Sequence, residues 1–362
     1  MWGVATKDTR QMTASLTALS RRRALALAGG LMATAGASTD VLARGRHERG
    51  AGNGSAESSR GPHRLPVREI EDILQVSGKT HKGVFEAEVG RKDLQVSGYG
   101  IPFKASFEVH HDFVIQAVNA HEAMTNGEFA LLAKEIDPAI DALLRNGLVF
   151  QALHQHFIGL SPQIWHIHFR GKGDPRQLAK SIAAVTRTTG APLPQKEPQN
   201  PSTPLDHHRL GHILGGEASV KEDGVVKVSI PRKNTIHLGG VKVSPLLGIT
   251  THVAFMPLQG TGPHTASRNG SDTTGAGNNG NGSSGGLRTG VAPDIAMTAS
   301  EIDKVMKSMR SSGFDVGCLY NQETDEHPQL YFSHQIAIGD AEHLAHRLRE
   351  ALNHTDLDFK TT

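Results

Sequence analysis

The chain contains a single cysteine, Cys318, among 362 residues. That excludes an internal disulfide and also a thiolate-built structural zinc knuckle. Cys318 falls in an apolar run and reads as a small core residue, with a free thiol as the alternative. Aromatics are scarce: two tryptophans and three tyrosines leave little of the platform that a carbohydrate site presents. The net charge of +2 gives no electrostatic case for binding nucleic acid. No long apolar run is present; the longest candidate, Ala24 to Ala37, is short and glycine-containing for a membrane span. There is no G-x-G-x-x-G or Walker-type loop in a supporting context, no G-x-S-x-G elbow, and no serine or cysteine triad.

Histidine is the residue in excess, with 21 copies. Four of them fall in Leu153-His154-Gln155-His156-Phe157 and Trp165-His166-Ile167-His168-Phe169. The histidines take even numbers and the bulky apolar residues odd ones, the period-two alternation of strands with one buried face. Ile158 to Gln163, with Gly159, Ser161 and Pro162, turns the chain between them. The expectation is a β-hairpin with its imidazoles on one face, where facing Cβ atoms are roughly 5 Å apart and several rings can close on one ion. The competing reading is a polar strand face or a hydrogen-bonded cluster.

Imidazole without thiolate suits a divalent transition metal, zinc first, then copper or iron. The expected ligands are His154, His156 and His168, with His166 as the fourth candidate. Three histidines with an open position would make a catalytic arrangement, lowering the pKa of bound water toward about 7. Glu128 is the candidate general base; it can equally be a strand or cap residue. Glu135 sits in a first helical turn, where acids favour the helix dipole, and reads as structural. His110-His111 and His121-Glu122 lie beside strands and could add a ligand, although solvated loops account for them. His207, His208 and His212 open a helix and read as exposed.

The N-terminal stretch 1–43 reads as an export signal: Arg21-Arg22-Arg23 precede the mild apolar run, and Val41-Leu42-Ala43 offers a cleavage site. The paired arginines suggest the twin-arginine route, hence a periplasmic or secreted protein. A short buried or membrane helix is the alternative. No cysteine follows the run to carry a lipid, so no stable membrane anchor is expected. Residues 44–65 read as a disordered linker.

From there the pattern is globular. Val67 to Val76 and Lys134 to Arg145 read as helices. Asp174 caps a third helix that has Pro175 at its first position and runs to about Arg187. Gly83–Val89, Asp93–Val96, Phe107–Val109, Phe113–Val118 and Glu128–Ala130 read as strands. The pattern then repeats. Adding 166 carries Glu135-Ile136-Asp137 onto Glu301-Ile302-Asp303, Pro162 onto Pro328, His168 onto His334, Gly173-Asp174 onto Gly339-Asp340 and Glu128 onto Asp294. Arg91-Lys92-Asp93 likewise resembles Arg232-Lys233-Asn234.

The fold class expected is therefore α+β: two homologous tandem domains, each a mainly antiparallel sheet with helices packed on one face. The first repeat is 66–189, a proline-rich linker is 190–204, and the second, degenerate repeat is 205–357. The low-complexity insertion 260–290 reads as a mobile loop. His154, His156 and His166 become Tyr320, Gln322 and Phe332, so the ligand set appears only in the first copy. On this reading the second copy is structural support or a partner surface.

Several motifs resemble one family. Gly127-Glu128-Phe129, Glu135-Ile136-Asp137-Pro138, Ala152-Leu153-His154-Gln155-His156, His168-Phe169 and Gly173-Asp174-Pro175 fall in the order and spacing of the LppY/LpqO-like secreted bacterial proteins. Those carry a domain of unknown function, usually as a tandem pair. The resemblance covers roughly 66–357. It implies export and duplication and brings no settled activity. Three functions follow as expectations: an exported metal-binding protein, a metal-dependent hydrolase or lyase using Glu128, and an envelope carbohydrate-binding module. The partner in each case is a small-molecule or envelope ligand, not nucleic acid.

Overall fold

The structure is a computed structural model, and it describes residues 64–196, 200–258 and 287–360. The export-signal stretch, nearly all of the 44–65 linker and most of the 260–290 insertion lie outside the described residues. Among the described residues no helix is long and apolar enough to cross a membrane.

The first repeat runs α1 (Val67–Leu74), β1 (Lys79–His81), β2 (Val84–Gly90), β3 (Val96–Gly98), β4 (Ile101–Phe103), β5 (His110–Ala117), β6 (Ala123–Leu131), α2 (Ile136–Arg145), β7 (Val149–His154), β8 (Trp165–Gly173) and α3 (Pro175–Thr186). Its main sheet has the antiparallel order β1-β2-β5-β6-β8-β7. The second repeat runs α4 (His207–Leu214), β9 (Glu217–Val220), β10 (Val226–Ile230), β11 (Ile236–Leu238), β12 (Val241–Val243), β13 (Thr251–Pro257), β14 (Arg288–Met297), α5 (Ala299–Ser311), β15 (Asp315–Val316), β16 (Glu326–His327), β17 (Tyr331–Asp340) and α6 (Ala341–Leu352). Its sheet, β9-β10-β13-β14-β17-β15, has the same plan.

The duplication is visible element by element. The offset of 166 carries α3 onto α6 residue for residue and sets β8 upon β17. Matching caps start the matching helices: Asp174 accepts from the Arg176 and Gln177 amides, and Asp340 from that of His343. Glu135 accepts from the Leu132 amide and pairs with the buried Arg91, while Glu301 accepts from that of Thr298 and pairs with Arg232. Each glutamate thus opens a helix and holds a buried guanidinium, which a lone charge in that position would not survive.

Strand alternation sorts the two faces of each sheet. Phe85, Phe113, Phe129, Ile167 and Phe169 point outward under α1, α2 and α3; Val228, Phe255, Ile295 and Met297 do the same under α4, α5 and α6. The helix-free faces meet each other. Ala130 and Phe157 share one apolar cluster with Ala254, Met256 and Ile336, and Val114 and Met124 share another with Leu238 and Phe332. Polar links cross the same interface: Glu88 pairs with Lys221 and Lys227, and Glu323 accepts from Asn126 and Gln151. The described part of 190–204 lies against the first repeat, with Gln195 bonded to Gly90 and Gln75.

Some expectations fail locally. Asp93 lies in a turn over 91–94, where it accepts from Arg91, and β3 begins only at Val96. Phe107–Val109 is not a strand: Lys104 to Phe107 form a turn and Glu108 takes a left-handed φ of 64°. Phe107 and Val109 are both buried, which is what gives the stretch its strand-like alternation. Leu153, expected on a buried face, is 39% exposed because β7 is an edge strand. The strand at Glu128 is longer than expected, nine residues.

Candidate metal centre

The centre lies on the helix-free face of the first sheet, where that sheet meets the second. β6, β8 and β7 set four of its residues by register. Glu128 is paired with His168 across β6 and β8, and His154 with His166 across β8 and β7. Paired residues point to the same side, so the odd-numbered apolar neighbours fill the helix side and these four turn inward. His156 lies beyond the end of β7, in the connection to β8, and its ring folds back over that of His166.

The structure brings all five sequence-selected residues together. His168 and His154 meet Nε2 to Nε2 at 2.9 Å. Glu128 Oε2 stands 3.2 Å from His156 Nε2, 3.2 Å from His168 Nε2 and 3.5 Å from His166 Nδ1. Of these nitrogens, His156 Nε2 and His166 Nδ1 are buried without a hydrogen bond.

Three further residues were not assigned to the site from sequence. Glu108 Oε2 sits 3.1 Å from His156 Nδ1. His334 of the second repeat stacks on His156 with ring centres 3.5 Å apart, its Nε2 3.7 Å from Glu108 and 3.8 Å from Asp294 Oδ1. Tyr320 stacks on His154 at 3.6 Å. The sequence left the second copy as structural support or a partner surface; the structure sets its retained histidine and its acid at the Glu128 position against the first repeat's cluster. The sequence signal was present in the offset, since His334 is the one histidine of the hairpin kept by the second copy. Glu108 had no comparable signal, because its placement depends on a left-handed turn.

Among the described residues, three sets of ligand atoms lie close enough to hold an ion: His154, His156 and His168; Glu128, His156 and His166; and Glu108, His156 and His334. His156 belongs to all three. Cys318 is in none of them; its Sγ lies 3.3 Å from His334 Nδ1, and burial pushes the thiol up to about 12, so it stays protonated.

Electrostatics follow from burial beside two carboxylates. Burial works to lower the His156 pKa, but Glu128 and the hydrogen bond to Glu108 overcome it and lift it to about 9. Burial and the positive His156 push His166 down to about 4. Burial outweighs the attraction of Glu128 at His168 and takes it to about 3. His154 and His334 also fall well below the ordinary range, through burial and their histidine neighbours. Burial opposes ionisation of Glu128, yet His156 and His166 hold its carboxyl well below the usual range. Asp294 is pushed the other way, well up, by burial. Without an ion, then, one imidazolium sits between two carboxylates, with neutral imidazoles around it as free ligands.

The other histidines singled out in the sequence lie elsewhere among the described residues. His110 and His111, expected in solvated loops, are buried in β5. His110 meets Lys227 at 2.9 Å, and His111 Nδ1 accepts from the Ala130 amide. His121 is exposed, as are His208 and His212 on α4.

No curated protein matches the sequence. Among solved structures, a trimeric bacterial microcompartment shell protein PduB aligns at 9% identity over 80% of this chain and 91% of its own, with a TM-score of 0.16, too low to inform fold or function. Residues 68–188, 208–267 and 283–354 match the family described as Domain of Unknown Function (DUF1259), segments that fall on both repeats and span more than half of the chain, and the protein belongs to that family.

Proposed function

We propose that this is an exported metal-binding protein whose centre holds a divalent transition metal ion between the two sheets. One observation carries the reading: His156 and His166 are both buried with orphaned nitrogens directed at the ionised Glu128. Burying unsatisfied imidazole nitrogens beside a carboxylate costs free energy that an ion would return. Ligand atoms at 2.0–2.2 Å from a tetrahedral ion lie about 3.4 Å apart. The 3.2 and 3.5 Å separations around Glu128 Oε2 match that spacing. His156 and His166 lie parallel at 3.3 Å, so an ion shared by both requires their planes to tilt toward it. The imidazole and carboxylate donor set favours zinc, then copper or iron.

Glu128 lies among the ligands, which makes it a ligand before a general base. A hydrolase or lyase reading would need another base, and an ion with an open position. A carbohydrate module is less well supported, because the histidines face the opposite sheet. Export rests on the arginine-led N-terminal stretch, and the kinship proposed is with the LppY/LpqO-like secreted proteins.

The test is elemental mass spectrometry of untagged full-length protein, stripped and then reconstituted with zinc, copper or ferrous iron. At least one ion per chain is expected, lost when His154 and His156 are both replaced by alanine. A metal content no higher than the buffer blank would overturn the reading.

A further inference from the structure

We propose that the centre takes two metal ions bridged by the ring of His156, with the second repeat contributing His334 to the second ion. The first ion would sit at Glu128 Oε2, His156 Nε2 and His166 Nδ1. The second would sit at Glu108 Oε2, His156 Nδ1 and His334 Nε2, with Asp294 adjacent. The inference rests on the reading that the centre binds metal at all.

The geometry of one ring leads to it. The two nitrogens of His156 lie on opposite edges, and each meets its own carboxylate: Glu108 at 3.1 Å and Glu128 at 3.2 Å. One ion cannot bond both nitrogens of an imidazole, so the three-residue sets on its two edges are separate sites. Apart from the shared His156 ring, the second set takes nothing from the first. His334 Nε2 stands 3.7 Å from Glu108 and 3.8 Å from Asp294 Oδ1. That Asp294 oxygen is buried with no hydrogen-bond partner, the same sign of a missing cation as on the first edge.

The duplication explains why there are two halves. Glu128 is paired with His168 in the first sheet, and Asp294 with His334 in the second. The offset of 166 relates these acid–histidine pairs, and the face-to-face packing points both at the gap that His156 fills. Each repeat therefore places one acid–histidine pair beside the shared ring, and of these Glu128 and His334 are the proposed ligands.

Binding at both edges leaves His156 no N–H. Both ring protons of the metal-free imidazolium, and the proton that burial keeps on Asp294, pass to solvent, and the ring becomes imidazolate. Glu108, Glu128, Asp294 and the imidazolate then carry four negative charges against four positive charges on two divalent ions, a balance that a buried site requires. With metal–nitrogen bonds of 2.0–2.1 Å, the ions lie about 6 Å apart.

Copper(II) alone is the probe, added to stripped full-length protein, with copper per chain measured by elemental mass spectrometry and unpaired spins by low-temperature electron paramagnetic resonance. Two coppers per chain with a spin count well below two is the expected result, because the imidazolate couples the spins. His334→Gln and, independently, Glu108→Gln should each leave one copper per chain with its full spin. Wild-type saturation at one ion would overturn the bridge while leaving the metal-binding reading intact. Two ions with two full spins would also overturn the bridge. No bound copper would overturn both.

Discussion

His156 makes the metal-free protein's stability depend on pH in a calculable way. Its pKa rises from an ordinary 6.5 to about 9, because burial is outweighed by Glu128 and by the bond to Glu108. A group whose folded pKa is raised stabilises fully below its unfolded pKa and loses that contribution as pH climbs through the folded one. At 1.36 kcal/mol per unit, the contribution is about 3.4 kcal/mol below pH 6, about 2.5 at pH 7 and close to zero by pH 10. His156→Gln keeps a polar side chain and removes the charge. Its packing cost is the same at every pH, so the pH-dependent part of the difference reads the imidazolium together with the carboxylates and imidazoles whose ionisation it sets. Urea denaturation of stripped wild type and variant at pH 6, 7.5, 9 and 10 measures it. The variant should trail wild type by about 3 kcal/mol more at pH 6 than at pH 10. A gap that is flat across that range would refute the account of one imidazolium clasped by two carboxylates. His166 and His168, at about 4 and 3, act on the acid side. Their depressed values contribute nothing above pH 6.5 and destabilise the fold as pH drops below it. Zinc should invert the alkaline limb, since an ion competes with the proton on His156 and binds better as pH rises.

Glu323 offers a test away from the centre. Burial raises its pKa to about 6 against three donated hydrogen bonds, so its charge costs about 2 kcal/mol once pH exceeds that value. Glu323→Gln should stabilise the protein by up to that amount at pH 8 and by little at pH 5. Gln151, whose own oxygen lacks a partner, can turn over to accept from the new amide; a variant less stable than wild type at pH 8 in urea titrations would contradict this. Gly317 lets the second repeat pass close to His156: a Cβ there would lie 2.0 Å from the His156 carbonyl oxygen. Gly317→Ala should therefore displace His156, lowering zinc affinity at least tenfold in competition with a chelator, while Gly313→Ala, where a Cβ meets nothing, should cost only backbone strain and leave zinc affinity unchanged.

Much of the fold was legible because its signals are local. Asp174 and Asp340 cap helices that start where their sequences say, and period-two alternation separates Ile167 and Phe169 from His166 and His168 without knowledge of any partner. The same alternation misled at Phe107–Val109. Two buried apolar residues bracket Glu108, and nothing in that triplet reveals a left-handed residue between them. Leu153 misled for a related reason: alternation says which face a residue takes, but not that its strand lies at the sheet edge with less to cover it.

The centre was legible only as far as one repeat reaches. Strand pairing brings together residues within a sheet, so Glu128, His154, His166 and His168 could be inferred from spacing and hairpin logic. Loss of three histidines from the second copy suggested that the copy had shed its function. The packing of the two sheets sets one histidine and one acid of the second copy beside His156, which stands between the sheets and presents a second edge to them. Tyr320, which replaces a histidine, stacks on His154 instead of ligating, and Gln322 bonds the backbone of Gly248 and the side chain of Glu323. A second full set of histidines would crowd rings into a space that three stacked imidazoles already fill, with centres 3.3 and 3.5 Å apart. The unequal repeats are thus what a single shared centre requires: two copies of the scaffold to form the walls, and one set of ligands with its complement.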